Sequence, residues 1–593
     1  MILQALNEHY KRLLEDEESG VAPPGYSSAK VTHALILDYM GNIVDVLPLT
    51  IIRGRRNLPK TLIVPEQVRR TSGISANLLC DNASYVLGLE RDKNGNLRLS
   101  KDKYIEFRQK NVNYLKNFSC NTAKALIYFL EKWEPQLNNL PKPIQQNLKS
   151  LLDGGNIVFK LDGEQIYIHE EMEIRKGISE NKTSDEKAIG QCLITGKNGP
   201  IARLHPAIKG ISGAQTSGAS LVSFNVNSFT SYGKSQSYNA PVGEEAAFAY
   251  GTALNYLTAS ETNRVRLGDT TMVFWADKKG GKAEETILSW CIDPININAD
   301  EEKGESRIDY ETAWQAKTVL ERIKSGQPIG DASFNLNSRC YILGLSPNAA
   351  RLSVRFWQVS SFGDLLRKIA QHYKDMDIDG LEKIGGFISP WRILKAVAVQ
   401  EDAKNIPPML EGQLMSAILS GNMYPQNIYN SALIRCRTGG EHGGVSIIRA
   451  AIIKAFLVRK YRIQNLSEKE VFVTMGLNEK NTNTAYMLGR LFSLLEKVQK
   501  DALGSTINST IRDRYFGAAS TTPGAVFPLL LRLSRHHISK AENGRYMDGK
   551  IQEVMNGLDE FPAFLNMEEQ GQFMLGYYHQ NQANYAKRDN QII

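Results

Sequence analysis

Between Glu186 and Glu244 the chain carries no Asp or Glu. Over the same stretch Lys187, Lys197, Arg203, Lys209 and Lys234 supply positive charge, and Phe224, Phe229, Tyr232 and Tyr238 stand among Gly, Ser, Thr, Asn and Gln. Lys and Arg neutralise phosphate, and without carboxylates that field is unopposed. Amides and hydroxyls both donate and accept hydrogen bonds, and glycine lets a backbone approach a ligand closely. The chemistry suited to such a stretch is the holding of a polyanion. The same composition suits a Gly-rich loop beside a core strand, and composition alone does not separate the two. Gly233-Lys234-Ser235 ends like a phosphate-binding P-loop, but that motif requires Gly where Ser228 stands and a helix where Asn239-Ala240-Pro241 follows. A nucleoside triphosphatase is therefore excluded.

Three further regions carry cationic patterns. In residues 53–77, Arg53, Arg55, Arg56, Lys60, Arg69 and Arg70 face one acid, Glu66, and the polar loop RRTSGISAN ends the segment, with Asn82 just beyond. Arg and Asn suit base edges as well as phosphates; a solvated basic loop is the plainer reading. From 351 onward Arg351, Ser353 and Arg355 alternate with Leu352, Val354 and Phe356, the pattern of a half-buried strand whose outer face suits either an anion or ion pairs. Near the C-terminus Arg490, Lys497, Lys500, Arg512, Arg514, Arg532, Arg535, Lys540 and Arg545 crowd a set of helical segments. Signals for catalysis are weak. Cys192 and His205 lack companions for a zinc site, and His536 and His537 are adjacent and diverge on a helix. There is no G-x-S-x-G or H-E-x-x-H sequence. No cofactor, metal or catalytic residue is expected, although dispersed carboxylates that assemble only in three dimensions leave a metal-dependent nuclease open.

The elements that must position these residues are readable from periodicity. Leu3, Leu6, Tyr10, Leu13 and Leu14 predict a helix over 2–16. VTHALILD and IVDVLPL around Met40-Gly41-Asn42 predict a hairpin, TLIV a short strand, and NIVFK with EQIYIH a second hairpin over 156–169. Residues 103–135 read as two helices, 244–257 as a helix opened by two acids, and 270–276 as a buried strand. Residues 278–335 read as charged and irregular with a mobile insertion, and the loop 437–444 reads as mobile. From 362 the pattern is helical, with final segments at 484–503, 505–516 running on to 523–541, 547–558 and 567–588. The expected fold class is α+β: a mixed α/β N-terminal domain with short antiparallel strands and hairpins over 1–360, a helical connecting region over 361–474, and a C-terminal helical bundle over 475–593 with one basic face.

A chain of 593 residues is too long for one core, and 42% hydrophobic with 23% charged residues is ordinary for a globular protein. A net charge of +8 permits a nucleic-acid partner without requiring one. None of the six cysteines forms a C-x-x-C pair, which argues against a disulfide framework. With no signal-peptide pattern and no apolar run long enough for a membrane span, the expected location is cytoplasmic, without a membrane partner.

Several blocks, taken in order, resemble one family. They are MILQAL, GQCLITG with PIARLHPAIKG, SFN with SYGKSQSYNAPVGEEAAFAYGTALNYL, LGLSPNAARLSVRFW, and EEQGQFMLGYYHQ, spanning residues 1–580. Together they resemble the large subunit of type I-C CRISPR Cascade, the Dvulg subtype. The resemblance implies a non-catalytic component of an RNA-guided interference complex. Such a subunit recognises the protospacer-adjacent motif (PAM) in double-stranded DNA and aids duplex opening and R-loop formation. It contacts the 5′ handle of the CRISPR RNA (crRNA) and guides the displaced single strand. The implied partners are crRNA, target DNA, the Cascade backbone and crRNA-processing subunits, and the helicase-nuclease. A small subunit made from an internal start, for which Met475 is favoured over Met487, completes the set. By position, the resemblance implies DNA and PAM contacts at Arg69, Arg70, Thr71, Ser72, Gly73, Asn77 and Asn82, with Asn77, Ser72 or Asn82 on base edges. RNA-handle or DNA-backbone contacts fall to Asn225, Tyr232, Lys234, Gln236 and Asn239, then Arg351 and Arg355. The non-target strand falls to Arg490, Lys497, Arg512, Arg514, Arg532 and Arg535. A stand-alone metal-dependent nuclease, and a structural scaffold that does not read DNA, are the competing readings.

Overall fold

The computed structural model describes residues 1–593 except 54, 55, 69, 71, 72, 93, 181–187, 279, 280, 295–317, 320, 323, 324, 326, 328–333, 408, 441, 505–508 and 587–593. The chain forms two compact units, one of residues 3–206 and 222–256, the other of 207–221 and 257–593. The class is α+β, with mixed helix and strand in the N-terminal region and helices through the C-terminal half.

In the first unit, α1 (Ile2–Glu15) precedes β1 (Tyr26–Leu37), β2 (Ile43–Pro48), β3 (Thr50–Arg53) and β4 (Arg56–Pro65). Then come β5 (Asp81–Asn82), α2 (Ala83–Val86), β6 (Leu89–Arg91), β7 (Leu97–Leu99), α3 (Lys101–Leu115), α4 (Asn121–Lys132), α5 (Lys142–Leu152), β8 (Asn156–Leu161) and α6 (Met172–Glu180). The unit ends with β9 (Ile189–Gln191), β10 (Asn198–Pro200) and most of α7 (Glu244–Ala259). β1 organises the sheet. Its first half pairs antiparallel with β4, its second half pairs antiparallel with β2, and β8 runs parallel along its other side. The hairpin expected over 156–169 does not form: β8 is taken by β1, and only an isolated Lys160–Tyr167 bridge follows. The cause is burial, since Ile157, Val158 and Phe159 are all at most 1% exposed, and a strand covered on both faces belongs inside a sheet. Phe107 of α3 and Phe129 of α4 pack on Phe159 at ring separations of 6.2 and 6.0 Å.

The second unit has a sheet in the order β11–β12–β16–β15–β14–β13. Its strands are β11 (Ala207–Ile208), β12 (Ala219–Ser220), β13 (Arg264–Leu267), β14 (Thr270–Ala276), β15 (Arg339–Asn348) and β16 (Arg351–Ser361), with α8 (Lys282–Ile292) between β14 and β15. The helices that follow are α9 (Phe362–Met376), α10 (Pro390–Val397), α11 (Leu410–Ser420), α12 (Gln426–Arg437), α13 (Ile447–Ile463) and α14 (Ser467–Glu470). The last set is α15 (Thr484–Leu503), α16 (Ile511–Ala519), α17 (Pro523–Lys540), α18 (Gly544–Met555) and α19 (Met567–Tyr585). One continuous core runs from Val265 to Tyr578. Strands of this sheet and the helices after it thus share one core. Glycines set the closest approach within the bundle. A Cβ on Gly489 of α15 would lie 2.0 Å from the Phe573 carbonyl oxygen, and one on Gly576 of α19 would lie 2.0 Å from that of Tyr486.

α13 is buried almost all round and carries three buried cations, Arg449, Lys454 and Arg459. Arg449 donates to the carbonyls of Ala396, Gly444 and His442 and pairs with Glu401. It thereby ties down much of the 437–444 loop that the sequence suggested was mobile; residue 441 lies outside the described residues, as does most of 295–333. Arg459 pairs with Asp375 at 3.2 Å, lies 3.8 Å from the Tyr424 ring centre, and donates to the carbonyls of Ala417 and Asn422.

Candidate nucleic-acid interface

Of the seven residues assigned to the early basic loop, Arg69, Thr71 and Ser72 lie outside the described residues. The others are placed clearly. Asn77 is 4% exposed; its Oδ1 accepts from the Val68 N–H at 2.8 Å and its Nδ2 donates to Gln67 Oε1 at 2.8 Å. Its own N–H goes to Asp81 Oδ2, and its carbonyl accepts from Asn111. Asn77, offered with Ser72 and Asn82 for base edges, thus shapes the loop from within. Arg70 is also committed: it donates to the Ser75 carbonyl, pairs with the buried Asp81 carboxylate, and lies 3.9 Å from the Tyr85 ring centre. Asn82 caps α2, its Oδ1 accepting from the Ser84 N–H and Oγ. Gly73 and Ile74 form the exposed part of the described loop.

The acid-free stretch presents a different surface. Residues 225–235 are all exposed. At their centre Ser231 and Lys234 pair as an isolated antiparallel bridge, with the Lys234 N–H on the Ser231 carbonyl at 2.9 Å. Tyr232 (φ 51°) and Gly233 (φ 69°) occupy the two central positions of this tight turn. Both lie in the left-handed region, as the primed hairpin turns require. Glycine meets that geometry without cost, while tyrosine does so at roughly 1–2 kcal/mol. Tyr232 is 98% exposed. Asn239 holds the turn from behind: its Oδ1 accepts from the Ser231 N–H, and its Nδ2 donates to the carbonyls of Lys234 and Gln236. Gln236, also in the left-handed region, accepts from Arg203 at 2.7 Å. Asn239 and Gln236 are thus the frame, and Tyr232 and Lys234 are what the frame displays. Gly233 sits in a reverse turn, and a single 3-10 turn over Gln236–Asn239 follows it.

On β16 the alternation breaks at one residue. Gly344 pairs with Phe356 and Leu345 with Val354, so Arg355 is the extra residue of a bulge. The phase expected from the sequence shifts accordingly: Val354 is 44% exposed, and the Arg355 side chain only 18%. Arg355 reaches Asp269 at 3.5 Å, and its Nε, shut off from solvent, has no hydrogen-bond partner. Asp269 belongs to a carboxyl pair. Glu411 is 7% exposed, accepts from the Asp269 N–H and Thr270 Oγ1, and is pushed up to about 8 by burial and then by Asp269 itself. Arg351 is half-buried at the start of the strand.

The C-terminal cations separate into two groups. Arg490 is 6% exposed and donates to Gln580. Lys497 is paired with Asp501, and Lys500 with Glu496. Arg512 is half-buried, against Tyr577 and the Gly444 backbone. These serve the bundle. Arg514, Arg532 and Arg535 are exposed. Arg532, Arg535, His536 and Lys540 recur at helical spacing and are all exposed on one side of α17. His537 is held below its ordinary value by burial, then by His536 and Lys540. The sequence reading did not single out the polar residues around Arg355, Gln413, Ser416 and Ser420 on α11 and Gln426 and Asn427 at the start of α12. Polar residues at i, i+3, i+7 along a mostly apolar helix are the signal that could have found the first three.

Among the described residues no group of three or more His, Cys, Asp or Glu side chains is placed to hold a metal ion. None of their helices is long and apolar enough to cross a membrane. The sequence profile of the CRISPR-associated protein family Cas_Csd1 matches residues 6–585. No curated protein matches the chain.

Proposed function

The chain belongs to the CRISPR-associated Cas_Csd1 family, and from that premise we propose that it is the non-catalytic large subunit of a type I-C Cascade, binding crRNA and target DNA. In this reading it recognises the adjacent motif in duplex DNA, helps open the duplex, contacts the crRNA 5′ handle, and guides the displaced strand before the helicase-nuclease arrives. The turn at Ser231–Lys234 carries the nucleic-acid part: a fully exposed aromatic and a cation, held on a rigid frame inside a segment without carboxylates. Tyr232 stacks on an unpaired base and Lys234 takes the adjoining phosphate, a pairing of contacts suited to single-stranded or opening duplex DNA. In the early loop Arg70, Asn77 and Asn82 set the backbone, and contact with DNA falls to Arg69, Thr71, Ser72 and the Gly73 main chain. The exposed cations of α17, with Arg514, take the non-target strand. Residues from Met475 onward contain α15 to α19 entire, which suits an internal start at Met475 that yields a small subunit.

The test is affinity purification of the tagged chain with its neighbours, followed by binding to motif-bearing duplex. Co-purification of RNA of uniform length with other subunits is expected. Tyr232→Ala removes a stacking contact of roughly 1–3 kcal/mol, so about 5- to 150-fold weaker binding to opened duplex is expected, with assembly intact. Unchanged binding overturns the role given to the turn; DNA cleavage by the purified chain with Mg²⁺ or Mn²⁺ overturns the non-catalytic assignment.

A further inference from the structure

Beside the bulge in β16 lies a groove of about 500 Å³, bounded by Arg355, by α11 and by the start of α12. Its volume is within the range of about 300–1,000 Å³ common for small-ligand sites. Among the described residues Arg355 is the one charged residue of the lining, and no carboxylate lines it. The bulge turns this guanidinium inward; a regular strand would have placed Val354 there and sent Arg355 to solvent. Its ion pair with Asp269 is long, at 3.5 Å, and leaves the solvent-excluded Nε without a partner. Gln413, Ser416 and Ser420 line one wall, and Asn422, Gln426 and Asn427 line another. α12 opens at this wall behind Pro425 with no side-chain cap; the Ile428 N–H turns back to the Pro425 carbonyl at 3.0 Å, which leaves the N–H groups of Gln426 and Asn427 for a ligand. Below the groove, Arg459 holds the carbonyls of Ala417 and Asn422, fixing the end of α11 and the turn that follows. Met409, in the left-handed region, and Met423 supply two thioethers.

Each of these features matches one part of a nucleotide. A guanidinium held by one long ion pair and an uncapped helix start suit a phosphate. Carboxamides donate and accept in one plane, as the edge of a base does. Thioethers make soft contacts with the rim of an aromatic ring. We propose that the groove between β16, α11 and α12 binds one unpaired nucleotide, its phosphate on Arg355 and the α12 N-terminus, its base between Met409 and Met423 with an edge on Gln413 and Gln426. The proposal rests on the reading of this chain as a nucleic-acid-binding subunit and adds a site where a single nucleotide is drawn out of its strand. Occupancy exchanges Asp269 for phosphate at Arg355, and the Asp269 carboxylate keeps its partners in Thr270 and Glu411.

The experiment uses the full chain and three sets of probes: the four ribonucleoside 5′-monophosphates, their deoxy counterparts, and inorganic phosphate, read by saturation-transfer NMR. A parallel arm measures binding of a 30-nucleotide single strand. At least one mononucleotide is expected to bind, with at least tenfold loss in Arg355→Gln and in Ser416→Trp, which fills the groove. The Lys124→Ala variant, at an exposed position of α4, is expected to retain mononucleotide binding. Ribose against deoxyribose preference distinguishes RNA from DNA as the source. Photocrosslinking of a 4-thiouridine- or 4-thiothymidine-containing strand is expected within 409–427. Phosphate that binds as tightly as every mononucleotide overturns the nucleotide assignment. Long-strand binding with no mononucleotide binding, or with no effect of either groove variant, overturns this site alone, whereas loss of both kinds of binding in the unmodified chain overturns the broader reading.

Discussion

The stripe on α17 offers a test with a worked magnitude. Arg532, Arg535 and Lys540 have exposed side chains on α17. Replacing all three with alanine is therefore expected to leave the fold intact, within about 0.5 kcal/mol per position. If each neutralises one phosphate of a displaced strand, each adds about 0.7 to the steepness with which log affinity falls against log salt. The triple variant loses about 2 of that slope, which is roughly a 100-fold loss of affinity at 0.1 M salt that shrinks towards nothing near 1 M. The assay is fluorescence anisotropy of a labelled single strand at five salt concentrations, on the assembled complex. Arg490→Ala is the contrast: its buried guanidinium holds Gln580, so it is expected to lower thermal stability and leave the slope unchanged. An unchanged slope in the triple variant, or a reduced slope in Arg490→Ala, would refute the division between displayed and packed cations.

Two further predictions follow from buried polar groups. Glu411 has an ordinary value of 4.5 and is pushed up to about 8 in the fold, so between those values the folded chain keeps a proton that the unfolded chain releases. Stability then falls as pH rises through that window. At 1.36 kcal/mol per unit, discounted because Asp269 is 43% exposed, the fall is about 2 kcal/mol. Glu411→Gln is expected to flatten denaturation midpoints measured from pH 5 to 8; the same pH slope in the variant would show the proton sits elsewhere. Asn77→Ala leaves the Val68 N–H and Gln67 without their partner, a cost of about 1–3 kcal/mol. Its expected effect on motif binding is lost affinity together with faster hydrogen exchange in 67–82. Lost binding with unchanged exchange would return Asn77 to the base edge.

Some of this was legible in the chain. β1 with β2, α1, the pair α3 and α4, α7, β14 and the succession of helices from 362 follow from periodicity and turn residues, because local pattern and final packing agree there. The family blocks were legible too, and the profile match over 6–585 places the chain in a CRISPR-associated family. The second hairpin failed because β8 found a parallel partner more than a hundred residues away, which no local pattern announces.

The sequence by itself determined that a carboxylate-free, aromatic-bearing stretch exists, that cations crowd the C-terminal helices, and that helices follow strands. Charge and periodicity are properties of composition and spacing, so they survive without coordinates. Tertiary structure alone decided which of those groups meet solvent. Asn77, Arg490 and Lys497 carry similar chemistry and are hydrogen-bonded or paired within loops and helices, while Tyr232, Arg532 and Arg535 are exposed. Arg355 is the sharpest case: one bulge in pairing register moves it from an outer face to the wall of a groove. Burial and register depend on what packs opposite each residue, and that partner is set by the folded chain rather than by the neighbours in sequence.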